Sequence, residues 1–218
     1  MNYDEEFAKG LKSDHRKFKA EIQAKIRSFT NVGEGDDAAL FEELAFCLLT
    51  PQSKAVSCLG AVSSASKSGI LFSGSTDVLA PHLRVCGVRF HRNKSRFLVE
   101  ARERFLKDGV GLRGVLDSHP DDFECRKWLV ENIKGMGLKE ASHFLRNVGR
   151  FRNVMILDRH ILRNLARAGA ISKVPNSLTG KKYFACEKAM KEYANYLGIP
   201  AWELDLLLWR RETGFILK

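Results

Sequence analysis

Apolar side chains recur at helical spacing along most of this chain. In residues 14–29 they form one stripe with lysine and glutamate opposite, which predicts an amphipathic surface helix. The members of the stripe are Phe18, Ile22, Ile26 and Phe29. Residues 38–49 are almost all apolar, so the helix predicted there is expected to lie at the centre of the molecule. Residues 31–37 separate the two, and their aspartates suit the start of the second helix.

The rest of the chain is patterned in the same way. Further helices are predicted at 54–66, 92–107, 121–133, 138–148, 159–168, 180–197 and 201–211. Ser53 is expected to cap the first of these, and Pro200 to lie at the first turn of the last. The Gly- and Ser-rich residues 66–75 predict a loop, and residues 154–157 an extended connector too short for a strand without a partner. The predicted fold class is all-α.

Composition and charge narrow the possible partners. The chain has 218 residues, of which 44% are hydrophobic and 28% charged, as in ordinary globular proteins. Its net charge of +10 points to a polyanionic partner. Five cysteines without close pairs argue against a disulfide framework and for a reducing compartment. No signal segment or membrane span is evident, so the expected location is intracellular, in the cytoplasm or nucleoid.

Residues 133–139 (IKGMGLK) form the most informative stretch of the chain. Gly135 and Gly137 lie between two predicted helices, where they permit backbone conformations that a side chain would forbid and a close approach to a ligand. The free amides at the start of the following helix suit a phosphate. Lys139 lies on the first turn of that helix. The stretch therefore predicts an anion-binding hairpin with an amine beside it.

A hairpin followed by Lys139, with Asp158 in a downstream loop, resembles the helix-hairpin-helix motif of the DNA glycosylase superfamily, and this resemblance makes Lys139 and Asp158 the candidate catalytic residues. An unprotonated lysine amine can displace a base from C1′ of a sugar and remain as a Schiff base, and nearby Lys134, Arg146 and Arg159 would favour its neutral form. The alternative for Lys139 is a solvated lysine on a helix. Asp158 precedes an apolar-periodic segment and has the alternative of a simple N-cap, although a capping carboxylate could also stabilise positive charge on the sugar.

The hairpin, Lys139 and Asp158 resemble the helix-hairpin-helix motif of the DNA glycosylase superfamily. The spacing of 158 − 139 = 19 residues is the usual one in that superfamily, although Lys134 stands where many members have proline. The resemblance implies two helical lobes, residues 32–148 and residues 1–31 plus 149–218, with the active cleft between them. It implies that the backbone at Gly135 and Gly137 binds the DNA backbone. Only Cys186 lies near the C-terminus, so the four-cysteine iron–sulfur cluster of some members is not expected.

A base must leave the duplex before C1′ can be attacked, and some side chain should fill the gap. Gln52 occupies the place of a glutamine that commonly does so in the superfamily, with a solvated loop glutamine as the alternative. Arg89 and Phe90, in the basic run 87–94, are further candidates for phosphate contact or wedging between bases. The alternative for this run is a basic helix start that packs Phe90 inward.

The C-terminal residues 202–218 resemble those of the type 2 8-oxoguanine DNA glycosylases of archaea and bacteria. By that resemblance Trp209 stacks on the extruded base, Asp205 shapes the pocket one helical turn earlier, and Lys218 recognises the base. Without the resemblance, Lys218 would be a frayed terminal residue and Trp209 a core residue. Recognition of 8-oxoguanine needs an acceptor for its N7–H, which the sequence does not identify.

The resemblance implies an 8-oxoguanine DNA glycosylase that is also an abasic-site lyase. It needs no metal or organic cofactor, its partner is double-stranded DNA containing 8-oxoguanine, and it is expected to be a monomer that binds no membrane. Two alternatives remain open. One is a related glycosylase for oxidised pyrimidines, and the other is a helix-hairpin-helix module that binds DNA without catalysis.

Overall fold

A computed structural model describes residues 3–107, 109 and 111–217, and within these ranges the chain forms helices and no strand, which confirms the all-α prediction. The helices are α1 Glu5–Gly33, α2 Asp37–Leu49, α3 Ala55–Lys67, α4 Ile70–Ser73, α5 Thr76–Val85, α6 His91–Arg102, α7 Leu112–Ser118, α8 Asp122–Asn132, α9 Leu138–Asn147, α10 Arg159–Arg167, α11 Gly180–Leu197 and α12 Ala201–Thr213. A π-helical turn, Glu103–Lys107, continues α6. None of the described helices is both long and apolar enough to cross a membrane.

Side-chain caps fix several helix starts. Asp4, Asp36, Asp121 and Asp158 each accept a hydrogen bond from a backbone amide in the first turn of the helix that follows. The prediction that Ser53 caps α3 is wrong, because Lys54 is the N-cap residue and makes no side-chain cap bond. The Ser53 hydroxyl is turned instead toward α6, where it accepts a hydrogen bond from Lys94 Nζ at 2.9 Å.

Other boundaries differ from the sequence predictions at the shorter elements. The helix predicted at 14–29 is the inner part of a helix that already begins at Glu5. The loop predicted at 66–75 contains the single-turn helix α4, and α5 and α7 were not predicted. Pro200 is the N-cap of α12 rather than a first-turn residue. Residues 154–157 are extended and unpaired with any described strand, as predicted.

The buried apolar side chains fall into two clusters. The first, the central cluster, is built around α2, which is buried along most of its length, and includes side chains from residues 40–154. The second, the terminal cluster, joins apolar residues of α1 to the connector after residue 154 and to α10, α11 and α12. The two ends of the chain therefore share one core, and the connector runs from one cluster into the other.

A buried ion pair links α8 to α11. Arg126, only 2% exposed, donates from Nη1 to Glu187 Oε1 at 2.7 Å and from Nη2 to Glu187 Oε2 at 3.0 Å. Glu187 Oε1 also accepts from the amide of Met155 at 2.8 Å. The extended connector thus finds its backbone partner in a carboxylate and not in a neighbouring strand. This arrangement fixes the connector that carries Asp158 to the start of α10.

Candidate active site

A pocket of about 290 Å³ opens where α9, the connector and α12 meet. It is lined by Thr50, Gln52, Ser53, Ala55, Lys139, His143, Arg146, Ile156, Asp158, Arg159, His160, Asp205 and Trp209. Five of the candidate residues, Gln52, Lys139, Asp158, Asp205 and Trp209, come together here although they lie on different segments of the chain. No three His, Cys, Asp or Glu side chains of the described residues are grouped so that they could hold a metal ion.

Lys139 enters this pocket from the first turn of α9. Its side chain is 24% exposed, so it is neither a fully solvated surface lysine nor sealed from substrate. Lys139 Nζ donates to Thr50 Oγ1 at 3.3 Å, and the Thr50 hydroxyl donates in turn to Cys47 O at 2.9 Å. Because the hydroxyl proton is used on Cys47, the oxygen lone pairs of Thr50 remain for the amine. Thr50 therefore orients the candidate nucleophile.

The charges around Lys139 differ from those expected. Arg146 and Arg159 line the same pocket, as predicted, but Lys134 does not. The side chain of Lys134 is 70% exposed, and its Nζ lies 2.8 Å from Glu100 Oε1 of α6. Glu140 Oε1 lies 3.7 Å from Lys139 Nζ and adds a negative charge that the sequence analysis left out. Lys134 therefore does not share the pocket lining with Lys139, and its charge is paired with Glu100.

Asp158 caps a helix and also lines the pocket. Its Oδ1 accepts a hydrogen bond from the amide of Ile161 at 2.8 Å and caps α10. The same carboxylate group lines the pocket with Lys139. The helix start and its dipole favour a negative charge at this position. The cap thus holds a carboxylate in the pocket in a fixed orientation.

The two glycines of the hairpin serve different geometric needs. Gly135 has φ of +84°, and a Cβ atom built there would overlap the ring of Phe97. Gly137 is extended, with φ of −100°, so the prediction of an unusual backbone conformation holds for Gly135 alone. Gly137 is the N-cap of α9 and makes no side-chain cap bond, which leaves the first amides of α9 without a capping side chain. An uncapped helix start of this kind suits an anion, so phosphate binding there stays a prediction.

Asp205 and Trp209 lie one turn apart on α12 and both line the pocket. Asp205 is buried and its Oδ2 accepts from Arg146 Nη1 at 2.6 Å. Burial raises the pKa of Asp205, and the positive charges of Arg146 and Lys139 partly offset this rise. The Trp209 ring meets the His160 ring edge to face at 5.4 Å, and the buried Trp209 Nε1 has no hydrogen-bond partner among the described residues. A bound molecule with an acceptor would satisfy it.

Lys218 lies outside the described residues. The residue before it is described, and Leu217 O accepts a hydrogen bond from Lys25 Nζ of α1 at 2.9 Å. Burial and the charge of Arg146 lower the pKa of Lys25. A hydrogen bond therefore links the last described residue, Leu217, to α1.

Gln52 lies on one turn and Arg89 and Phe90 on another, and a hydrogen bond from Arg89 N to Ser53 Oγ at 3.0 Å joins the two turns. Gln52 is exposed and lines the pocket, whereas Arg89 and Phe90 are outside its lining. Gln52 (φ 54°) and Phe90 (φ 56°) are the two non-glycine residues with positive φ in the described ranges. The alternative in which Phe90 packs inward is wrong, because its side chain is 51% exposed. The Arg89 guanidinium lies 5.5 Å from the centre of the Phe90 ring.

Two residues around the site were not singled out by the sequence, and a third has a contact that was not foreseen. Thr50 accepts a hydrogen bond from Lys139, and Lys94 is buried with its ammonium group against the turn that carries Gln52. Arg146 was expected near Lys139, but its ion pair with Asp205 was not predicted. Lys94 stands in the predicted basic run, but nothing in the run distinguishes its buried lysine from its exposed arginines. Arg146 has the only recognisable signal, since it lies seven residues after Lys139, on the same face of a helix.

Comparison with known proteins gives concordant matches. The family model described as 8-oxoguanine DNA glycosylase matches residues 22–199. The 8-oxoguanine DNA glycosylase/AP lyase of Fusobacterium nucleatum is 41% identical over 215 residues, which cover 98% of each chain. The protein of the same name from Korarchaeum cryptofilum is 41% identical over 197 residues, or 90% of each chain.

Solved structures match as well. The crystal structure of the 8-oxoguanine DNA glycosylase of Thermotoga maritima superposes with a TM-score of 0.87 at 33% identity, covering 98% of this chain and 99% of that one. The Methanocaldococcus jannaschii 8-oxoguanine glycosylase/lyase, in complex with a 15mer DNA containing 8-oxoguanine, gives a TM-score of 0.86 at 31% identity and covers 95% and 99% of the two chains. With its hairpin, its pocket and these matches over nearly its whole length, the chain belongs to the helix-hairpin-helix family of 8-oxoguanine DNA glycosylases.

Proposed function

We propose that this protein excises 8-oxoguanine from double-stranded DNA and then cleaves the strand at the abasic site. The observation that carries the proposal is the convergence of Lys139 and Asp158 in one pocket beside the hairpin, with Trp209 on the facing helix. The relative from Methanocaldococcus jannaschii, whose structure contains 8-oxoguanine DNA, supports the choice of lesion.

In the proposed reaction the unprotonated Lys139 amine attacks C1′ of the extruded nucleotide. The N–C1′ bond forms as the glycosidic bond breaks, and the departing base takes up a proton. Opening of the sugar ring gives a Schiff base, loss of a proton from C2′ follows, and the 3′ phosphate leaves by β-elimination. Asp158 stabilises the positive charge that develops on the sugar, from a position already fixed by the cap on α10. No metal or organic cofactor takes part.

The remaining site residues are assigned by where they lie. The backbone at Gly135 and Gly137 holds DNA phosphates at the start of α9, which no side chain caps. Trp209 stacks on the extruded base, and Lys218 reads it. Asp205 forms a pocket wall through its pair with Arg146. Gln52, Arg89 and Phe90, on exposed turns at the pocket mouth, contact phosphates or enter the duplex in place of the base.

We further infer that the chain forms two lobes, residues 32–148 and residues 1–31 plus 149–218, with the active cleft between them. The central and terminal clusters support this division, because each has its own buried apolar core. We infer a monomer, because Lys139, Asp158, Asp205 and Trp209 already line one pocket within a single chain. A DNA repair enzyme of this kind acts in the cytoplasm or nucleoid.

Borohydride trapping tests the proposal. The wild-type protein is expected to form a covalent complex with a duplex that contains one 8-oxoguanine and with an abasic duplex, but not with undamaged guanine. Lys139→Gln should abolish trapping and keep DNA binding, because the hairpin is unchanged. Trapping on thymine glycol and not on 8-oxoguanine would move the assignment to oxidised pyrimidines. Binding without trapping on any duplex would indicate a non-catalytic module.

A further inference from the structure

The ammonium group of Lys94 is buried behind the pocket mouth. Lys94 lies on the first turn of α6 and is only 4% exposed. Its Nζ donates to Leu49 O at 2.7 Å, to Pro51 O at 2.7 Å and to Ser53 Oγ at 2.9 Å. A lysine ammonium has three donors, so these acceptors use all of them. All three acceptors lie on the segment that ends α2 and carries Gln52.

Ser53 extends this contact to the second turn. Its Oγ accepts from Lys94 Nζ and also from the backbone amide of Arg89 at 3.0 Å. Phe90 follows Arg89 and is the N-cap of α6, the helix that holds Lys94. One buried cation and one hydroxyl therefore join the turn of Gln52 to the turn of Phe90.

Both turns have a backbone conformation that needs support. Gln52 and Phe90 have positive φ, which is costly for residues with a Cβ atom and persists only where the surroundings hold it. The side chains of both residues are exposed, so apolar packing does not provide that support. The hydrogen bonds of Lys94 and Ser53 act directly on the backbone next to Gln52 and beside Phe90.

We propose that Lys94 is a positioning residue that holds Gln52 and Phe90 together in the conformation in which they enter the duplex when the damaged base leaves the stack. Lys94 does not touch the reacting atoms and acts only through the two turns. The inference rests on the proposed function, because it takes from there the roles of Gln52 and Phe90. It adds that Gln52 and Phe90 act together and that the buried charge of Lys94 holds their two turns in place.

Lys94 remains protonated near pH 7. Burial lowers the pKa of Lys94 to about 8, with Arg89 and Lys139 acting in the same direction and Cys58 and Glu140 opposing them. The pKa of Cys58 is raised to about 11 by burial, so its thiol is neutral near pH 7 and donates to the same Leu49 O at 3.1 Å. Near pH 7 Lys94 therefore keeps its third proton and all three hydrogen bonds.

Single-turnover excision by Lys94→Met provides the test, with the exposed Lys67→Met as a control that loses the same unit charge. We expect Lys94→Met to slow excision of 8-oxoguanine from a duplex about tenfold, because hydrogen bonds to a buried charge are lost. Cleavage at an abasic site in single-stranded DNA needs no insertion into a duplex and should stay within about twofold of wild type. Ser53→Ala keeps Lys94 and should show the same pattern more weakly, which serves if Lys94→Met does not fold.

A mutant cycle separates positioning from general stability. In a Gln52→Ala/Phe90→Ala background, Lys94→Met should cause no further loss on the duplex, because the side chains it positions are gone. A fluorescent 2-aminopurine placed next to the lesion should brighten less on binding Lys94→Met than on binding wild type, since it reports unstacking. Losses that multiply in the cycle, or equal losses on duplex and single strand, would overturn the proposal.

The outcomes also separate this inference from the proposed function. If Gln52→Ala and Phe90→Ala slow duplex excision but Lys94→Met does not, only the role of Lys94 is rejected. If none of the three slows it while borohydride trapping remains intact, both the entry of Gln52 and Phe90 into the duplex and the role of Lys94 are rejected, and the glycosylase assignment stands. Loss of trapping in the wild-type protein would reject the reaction itself.

Discussion

Asp158 is a residue at which stability and catalysis can be separated by one substitution. Asparagine caps helices about as well as aspartate, so Asp158→Asn should keep the hydrogen bond to Ile161 N and lose only the charge. We expect thermal stability close to that of the wild type and excision slower by about 10²-fold to 10³-fold, the usual cost of one preorganised electrostatic group. Single-turnover kinetics and a melting curve measure the two effects.

Asp158→Ala supplies the comparison. It removes the cap as well as the charge, and the cap is worth about 1 kcal/mol. It should therefore slow excision as much as Asp158→Asn does and also lower the melting temperature. Full activity of Asp158→Asn would show that the carboxylate group is only a cap.

Lys94 gives a pH dependence of stability whose sign follows from its pKa. The folded-state pKa is about 8, below the ordinary value of 10.5, so between these values the unfolded chain binds more protons than the folded one. The free energy of unfolding attributable to Lys94 therefore rises with pH through this window, and the penalty for burying the charge is complete below it.

We predict that the difference in unfolding free energy between the wild type and Lys94→Met changes with pH. Urea denaturation at about pH 7 and about pH 9 should show the wild type gaining stability relative to the variant at the higher pH. Burial raises the pKa values of the Cys47, Cys58 and Cys125 thiols from 9.0 to about 12, 11 and 11, so these thiols lower stability as the pH rises above 9.0. Both proteins contain these thiols, so their effect largely cancels in the comparison. A difference that is constant with pH would contradict the lowered pKa.

At the scale of the elements, the hairpin between α8 and α9 can be tested by comparing two glycine substitutions. Gly135→Ala combines a positive φ with overlap on the Phe97 ring, so we expect it to cost about 1–3 kcal/mol of unfolding free energy and to weaken DNA binding. Gly60 lies within α3, and a Cβ atom there would meet nothing within 4 Å. Gly60→Ala is the matched control and should stabilise by about 0.5–1 kcal/mol.

Urea midpoints and affinity for an abasic duplex measure both variants. The prediction fails if Gly135→Ala binds DNA and unfolds as the wild type does, because the hairpin would then tolerate a side chain at its turn. A loss confined to DNA binding would instead place the effect on the bound state.

The elements that the sequence predicts well are those whose signal is local. The helix α2 follows from a nearly continuous apolar run, α10 and α11 from apolar periodicity, and the hairpin from two glycines between helices. The short helices α4 and α7 were missed because they have few residues in which to show a period and pack on the central cluster. The helix α5 has Pro81 in its interior, a residue that argues against a helix in the sequence. The same holds for the site, where Lys139 and Asp158 follow from a motif and its spacing.

Contacts between residues that are distant in sequence leave no local pattern from which they could be predicted. Lys94 and Arg89 are neighbours in one basic run, yet one is buried and the other exposed. The difference arises because the carbonyl groups at the end of α2 lie opposite α6, 45 residues away in the case of Leu49 and Lys94. Ser53 was predicted as a cap for the same reason, since only the folded structure shows that its hydroxyl faces α6.

At the scale of the whole molecule, the pocket lies where the two apolar clusters meet. Lys139 approaches from α9, whose apolar side packs in the central cluster, and Trp209 approaches from α12 of the terminal cluster. The Arg146–Asp205 pair and the Arg126–Glu187 pair both cross between these groups of helices. Breaking such a buried pair leaves an uncompensated charge, so the relative position of Lys139 and Trp209 depends on both pairs.

The hydrogen bond between Lys25 of α1 and Leu217 can be tested by substitution. Lys25 Nζ donates to Leu217 O, next to the residue proposed to read the base. Lys25→Met should release this contact and slow excision of 8-oxoguanine about tenfold, the effect of one hydrogen bond to a charged donor. Cleavage of a pre-made abasic site should change little, because no base remains to be read. Lys19→Met, exposed on the same helix, is the control for lost charge.

Extension of the chain beyond Lys218 tests the same point without touching α1. Residues added after Lys218 alter the tail beyond Leu217 while leaving Lys25 and its helix intact, so the extended protein should again lose excision of 8-oxoguanine more than abasic-site cleavage. Agreement between Lys25→Met and the extended chain would assign the effect to the position of the tail. Equal losses on both substrates in either protein would reject a role for Lys218 in recognition, because a general defect in the pocket would slow both reactions alike.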